Sequence, residues 1–86
     1  MPTICRFYGI VIRMFYNDHN PPHFHAVYGD FQAVYQISPL RKVEGKLPKR
    51  AHTLVMEWAE MYSDELMDDW DAAEAREALK QIPPLK

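Results

Sequence analysis

The stretch His23-Phe24-His25-Ala26-Val27-Tyr28-Gly29-Asp30-Phe31-Gln32-Ala33-Val34-Tyr35-Gln36-Ile37 decides the fold. Two runs of alternating side chains flank a Gly-Asp pair, the pattern of a two-residue β-hairpin. With Gly29 and Asp30 in the turn, Tyr28 faces Phe31, Ala26 faces Ala33 and Phe24 faces Tyr35, so one face of the hairpin is wholly apolar. The other face carries His23, His25 and Val27 beside Gln32, Val34 and Gln36. The register therefore predicts that the two histidines point away from the core.

Upstream, residues 9–17 put Ile10, Ile12, Met14 and Tyr16 on one side and Val11, Arg13 and Phe15 on the other, the period of a strand. Asn17-Asp18-His19-Asn20-Pro21-Pro22 consists of turn formers, and its two prolines remove successive backbone donors, so a loop joins this strand to the hairpin. Downstream, Ser38-Pro39 breaks the run, and a short strand over about 40–44 should end at Gly45. From Pro48 the period becomes helical, with Ala51, Leu54, Val55, Trp58 and Tyr62 on one stripe. Pro48 suits a first helical turn, and Ser63 before Asp64 and Glu65 reads as a break and a fresh N-cap. A second helix then carries Leu66, Trp70 and Ala73 inward, until Pro83-Pro84 forbids further helix. Strands followed by helices predict an α+β fold: an antiparallel sheet of three to four strands (about 9–17, 23–28, 31–37 and 40–44) covered on one face by two C-terminal helices (about 48–62 and 64–78).

Eighty-six residues with 48% hydrophobic content, eleven of them aromatic, are enough for one compact domain, residues 1–86, standing alone or in a small homo-oligomer. Cys5 is the single cysteine, which excludes an internal disulfide and a four-cysteine metal cluster and fits a reducing compartment. Residues 1–12 hold Arg6 and Tyr8 within their apolar run and lack a small-residue cleavage site, so no secretory signal is read, and no stretch approaches the roughly 18 to 20 apolar residues of a membrane span. A cytoplasmic protein with no membrane partner is expected. Charge is unevenly spread. Residues 41–50 carry Arg41, Lys42, Lys46, Lys49 and Arg50 against Glu44 alone, a net +4, while residues 57–77 carry nine acids against Arg76 alone, a net −8. Solvated faces account for such blocks, and so does steering of a basic partner or a nucleic acid.

His19, His23 and His25 fall within seven residues, and the i, i+2 pair lies on one side of its strand. Three imidazoles with the Asp18 carboxylate would offer a divalent ion such as zinc three to four ligands and leave room for water, a catalytic type of site. Without metal, the same imidazoles suit acid–base chemistry, phosphodiester hydrolysis among it, although no nucleophile and no phosphate-binding glycine loop accompanies them. A third reading is recognition: His19, His23, His25, Gln32 and Gln36 form a binding face for a peptide or nucleic acid, with Arg41, Lys42, Lys46, Lys49 and Arg50 adding phosphate contacts. The plainest reading has the histidines hydrogen-bonding the Pro21-Pro22 turn. Cys5, Trp58, Trp70 and His52 read as core or structural residues.

Four pieces of the chain, MPTICRFYGIVIRMFYND (1–18), HNPPHFHAVYG (19–29), EGKLPKRA (44–51) and EWAEMYSDEL (57–66), resemble the bacterial family catalogued as domain of unknown function 4160. The resemblance implies a compact bacterial protein that forms one half of a two-gene, toxin–antitoxin-like unit with a small protein partner encoded nearby. It transfers no catalytic residue. Cys5 stands where relatives are expected to carry serine. Together these readings favour a binding or regulatory protein acting through the histidine-bearing sheet face, with a metal-dependent hydrolase centred on His19, His23 and His25 as the alternative.

Overall fold

The computed structural model describes residues 2–86 as an α+β fold of five strands and two helices. The strands are β1 (Thr3–Phe7), β2 (Ile10–Arg13), β3 (His23–Tyr28), β4 (Phe31–Gln36) and β5 (Arg41–Lys46), followed by α1 (Lys49–Met61) and α2 (Ser63–Glu74). The strands form one antiparallel meander in the order β1-β2-β3-β4-β5. Three to four strands were expected, and the extra one is β1. Its alternation is obscured because the register shifts between Thr3 and Cys5, which leaves both Ile4 and Cys5 buried.

The hairpin forms as its sequence dictates: Tyr28 pairs with Phe31, Ala26 with Ala33 and Phe24 with Tyr35. Phe24, Ala26, Ala33 and Tyr35 are buried, whereas Tyr28 and Phe31, next to the turn, are exposed. The strand expected over about 9–17 is shorter, Ile10–Arg13, and Tyr16 is exposed because the chain has already entered the loop. Gly45 does not end β5 but sits within it at φ +78, and a Cβ there would fall on the Gln32 carbonyl oxygen and within 2.8 Å of Ala33 Cα. Only glycine lets β5 approach β4 this closely. The helix boundaries also shift. Pro48 is the N-cap of α1 rather than a residue of its first turn, and Tyr62, not Ser63, occupies the junction, with no side-chain cap there.

α1 lies on the apolar face: the Trp58 ring packs 5.3 Å from Phe7 and 5.9 Å from Phe24, and the Tyr35 hydroxyl meets His52 Nδ1 at 2.7 Å. α2 packs alongside, with Leu66, Trp70 and Ala73 buried and the Ala73 carbonyl accepting from Asn17 N–H. Residues 77–86 return across the free edge of β1, where Ile82 N–H donates to the Ile4 carbonyl and Trp58 Nε1 donates to the Pro83 carbonyl. Among the described residues no helix is long and apolar enough to cross a membrane.

The opposite sheet face is open over most of its length and covered only at its His23 end, by loop 14–22 and Trp70. Cross-strand pairing lays it out in rows: Arg6, Val11, Val27, Gln32 and Lys46; then Arg13, His25, Val34 and Glu44; then His23, Gln36 and Arg41. The burial alternation along β2, buried on the helix side and half-exposed on the other, marks this face as the open one.

Candidate metal centre and its groove

Loop 14–22 folds back over the start of β3 and sets the Asp18 carboxylate against the histidines. Asp18 is held by its neighbour, since His19 N–H donates to Oδ1 at 2.8 Å. Its other oxygen faces β3. Asp18 Oδ2 lies 2.9 Å from His23 Nε2 and 3.8 Å from His25 Nε2, and the three ligand atoms fall within 4.8 Å of one another. Ligands around a tetrahedral zinc are about 3.3 Å apart, given bonds of about 2.0 to 2.1 Å. Two of the separations, 2.9 and 3.8 Å, bracket that value, and no two of the three ligand atoms are more than 4.8 Å apart, so side-chain adjustment would bring them to three corners of one coordination shell.

The second nitrogen of His23 specifies the chemistry. Nδ1 lies 2.7 Å from the Pro21 carbonyl oxygen, which can only accept, so Nδ1 carries the proton. Nε2 then presents a lone pair to the lone pairs of Asp18 Oδ2 at 2.9 Å. That contact is closed by a proton lying between the two atoms or, with the proton displaced, by a metal ion bound to both. His25 Nε2 is buried without a hydrogen-bond partner, 3.8 Å being too long for one. Its ring is held edge-on by Phe15, with centroids 4.5 Å apart.

The surroundings favour a neutral His25 and an ionised Asp18. Burial foremost, then the charge of His23, lowers the His25 pKa against the opposing pull of Asp18 and Glu44. For Asp18, partial burial raises the pKa, but the His19 N–H and the charge and hydrogen bond of His23 outweigh it, so the carboxyl ends below its usual value.

Of the four residues expected to bind metal, the structure brings Asp18, His23 and His25 together. His19 instead points Nδ1 at Asp18 Oδ1, 2.9 Å away, and its side chain is 85% exposed. The expectation that both strand histidines are exposed is corrected for His23. It lies on the open face as the register requires, yet it is buried (6%), because the loop covers it and the Trp70 ring approaches to 5.2 Å. Gln36 is buried beside it and donates to the Pro39 carbonyl, while Gln32 stays exposed at the far end of the sheet. The basic run is divided by the fold. Arg41 and Lys46 fall in the open-face rows, whereas Lys42 pairs with Tyr35 on the helix side and donates to the Gly45 carbonyl, and Lys49 and Arg50 begin α1.

Two adjoining clefts, of about 320 and 420 Å³, open onto this centre and share Phe15, His25, Val34 and Glu44 as walls. Glu44 and Phe15 escaped the sequence reading. Pairing β4 with β5 would have put Glu44 in the row of His25, but the bulge at Val43 hides the register.

Fold and site together describe a small α+β protein with an open, cleft-bearing sheet face and a two-histidine, one-carboxylate cluster. The chain belongs to the family described as a domain of unknown function, DUF4160, whose model matches residues 9–71, a span that holds the whole cluster. No curated protein and no solved structure matches it.

Proposed function

We propose that Asp18, His23 and His25 hold one divalent cation, of which zinc suits the donor set best, as the centre of a metal-dependent hydrolase. The observation that carries this reading is the convergence of His23 Nε2, His25 Nε2 and Asp18 Oδ2, with the His23 ring anchored through Nδ1 to the Pro21 carbonyl and His25 Nε2 buried without a partner. Three protein ligands beside a cleft leave a position for water, the arrangement of catalytic rather than structural zinc. A bound ion would make that water acidic enough to attack at neutral pH. Glu44, on the cleft wall two strands from His25, is the carboxylate available to take its proton.

Calorimetric titration of chelator-stripped protein with zinc should show one site, and saturation should raise the melting temperature, since binding to the folded state alone contributes about 2.7 kcal/mol at a hundredfold excess over Kd. His25→Ala and Asp18→Asn should each weaken binding at least tenfold, in line with the losses of roughly 10- to 100-fold seen on disturbing metal shells. Affinity should also fall on acidification, because the imidazoles must be deprotonated to bind. Absence of uptake by the wild type, or uptake indifferent to His25→Ala, would sink the reading.

A second reading, a regulatory protein docking a small partner as half of a two-gene unit, is favoured by the edges of the sheet. The β1 edge is closed by residues 77–86, whereas all six residues of β5 are exposed at the other edge, where an added strand can pair. Partner binding of that kind should persist in chelator, and hydrolysis should not.

A further inference from the structure

The open face and the helical face carry opposite charge. Arg6, Arg13, Arg41 and Lys46 stand in the open-face rows with Glu44 as the single acid among them, while Glu57, Glu60, Asp64, Glu65, Asp68, Asp71 and Glu74 are exposed on the helices. None of the cations is neutralised in place: among the described residues every short contact of a carboxylate with a basic group involves histidine. Arg13, paired directly with His25, has a buried Nε with no acceptor. Unneutralised guanidinium groups beside a cation centre are a receptor for a strong anion.

We infer that the substrate of the centre is a phosphodiester of single-stranded nucleic acid laid across this face; the chemistry rests on the metal reading above, whereas the contacts do not. The walls run over three rows of the sheet, from Gln36 to Gln32, about 13 Å at the spacing of alternate strand residues, more length than one isolated phosphate needs. Phe15, Val34 and Val43 give the groove apolar walls against which bases can lie, and cations at its margins meet the backbone, the division of labour in single-strand binding. A strand with unstacked bases can enter a cleft floored by buried His23, whereas a duplex presents a stiff convex surface. In the reaction one water is consumed. Its oxygen bonds to phosphorus as one ester P–O bond breaks, the bonding pair leaves on the sugar oxygen, and one water proton passes by way of Glu44 to that oxygen, giving a phosphomonoester and an alcohol.

The test uses fluorescein-labelled RNA and DNA 12-mers with the full chain. In chelator, anisotropy should report binding that weakens with salt, with a slope near −0.7 for each phosphate engaged, so about −2 to −3 for three to four contacts. Arg13→Ala, Arg41→Ala and Lys46→Ala should each weaken binding severalfold and flatten the slope by about 0.7, whereas Lys49→Ala with Arg50→Ala should leave it unchanged. With zinc added, cleavage should appear and be lost in Glu44→Gln, whose oligonucleotide binding persists. No binding at low salt, equal binding of poly-glutamate, or indifference to the three open-face variants would overturn the ligand class even if zinc is taken up. Oligonucleotide binding without zinc uptake would overturn the metal reading and leave the ligand class standing. Binding and zinc uptake without cleavage would overturn the assignment as substrate.

Discussion

His23 and Phe24 are chain neighbours on opposite faces of β3, and both are buried. Phe24→Ala removes a ring stacked on Tyr35 and packed on Trp58, and should cost about 3 to 5 kcal/mol. His23→Ala leaves the Pro21 carbonyl and Asp18 without their partner, a loss of about 1 to 3 kcal/mol, whereas His25→Ala should cost within about 1 kcal/mol in chelator because its ring nitrogen bonds to nothing. Denaturant melts of the three variants rank these costs, and a His25 variant as damaged as the Phe24 one would contradict a pre-formed ligand position. Asp69 is the other residue in tension. It is buried, Oδ1 accepts from Lys80 N–H at 2.9 Å and Oδ2 has no partner. Burial foremost raises its pKa, with Asp68 adding to the rise and the Lys80 N–H opposing it. A carboxyl raised on folding stabilises the protein below its unfolded pKa and loses that stabilisation as pH climbs through the folded value. Asp69→Asn, which keeps an acceptor for Lys80, should therefore melt higher than wild type at pH 7, and the gap should close as pH falls. A penalty equal at every pH would show instead that the carboxamide is the worse guest. Of these residues, His23, His25 and Asp18 were legible in the sequence because they lie within eight positions of one another. Asp69 was not, because its partner comes from eleven residues away in an irregular tail.

At the scale of elements, the hairpin was the most legible part, since its register follows from one turn and strict alternation. The same logic failed where the pleat is interrupted. β1 is masked by its bulge and by a turn built on Tyr8 at φ 49, which carries no glycine signature at that position, and although β5 was expected over about 40–44, its register with β4 is masked by the bulge at Val43. The two hairpin-region glycines separate turn from close approach. Gly29, at φ 56 with nothing within 4 Å of a built Cβ, should accept asparagine at a cost of a few tenths of a kcal/mol, because asparagine tolerates the left-handed region. Gly45→Ala must bear about 1 to 2 kcal/mol of left-handed strain and also displace the β4 backbone, so it should cost more than that and loosen the wall carrying Glu44. Paired melts of Gly29→Asn and Gly45→Ala check the contrast. Equal effects would mean that the β4–β5 approach is not as close as the backbone places it.

Across the whole molecule, the two faces divide the labour. The helix side and the tail hold the fold, and the open side holds the proposed centre. Residues 80–83 bond to β1, α1 and α2: Lys80 to Asp69, Gln81 to the Thr3 carbonyl, Ile82 to Ile4 and Pro83 to Trp58. None of this could be read from sequence, because the contacts join opposite ends of the chain, Thr3 to Gln81 among them, and depend on a tail with no periodicity. Ile82, buried against the core, tests the separation. Ile82→Ala should cost about 2 to 4 kcal/mol by lost burial and cavity formation, which in a domain of this size lowers the melting temperature by roughly 10 °C or more. The β1 edge stays covered, since the backbone N–H of residue 82 still donates to Ile4. The cluster at Asp18, His23 and His25 is positioned instead by the loop before β3 and by Trp70, so at temperatures where the variant is folded its zinc affinity should stay within twofold of wild type. A marked fall in affinity alongside the stability loss would mean that strain at the β1 edge reaches the centre through the sheet, and the division between a supporting face and a chemical face would not hold.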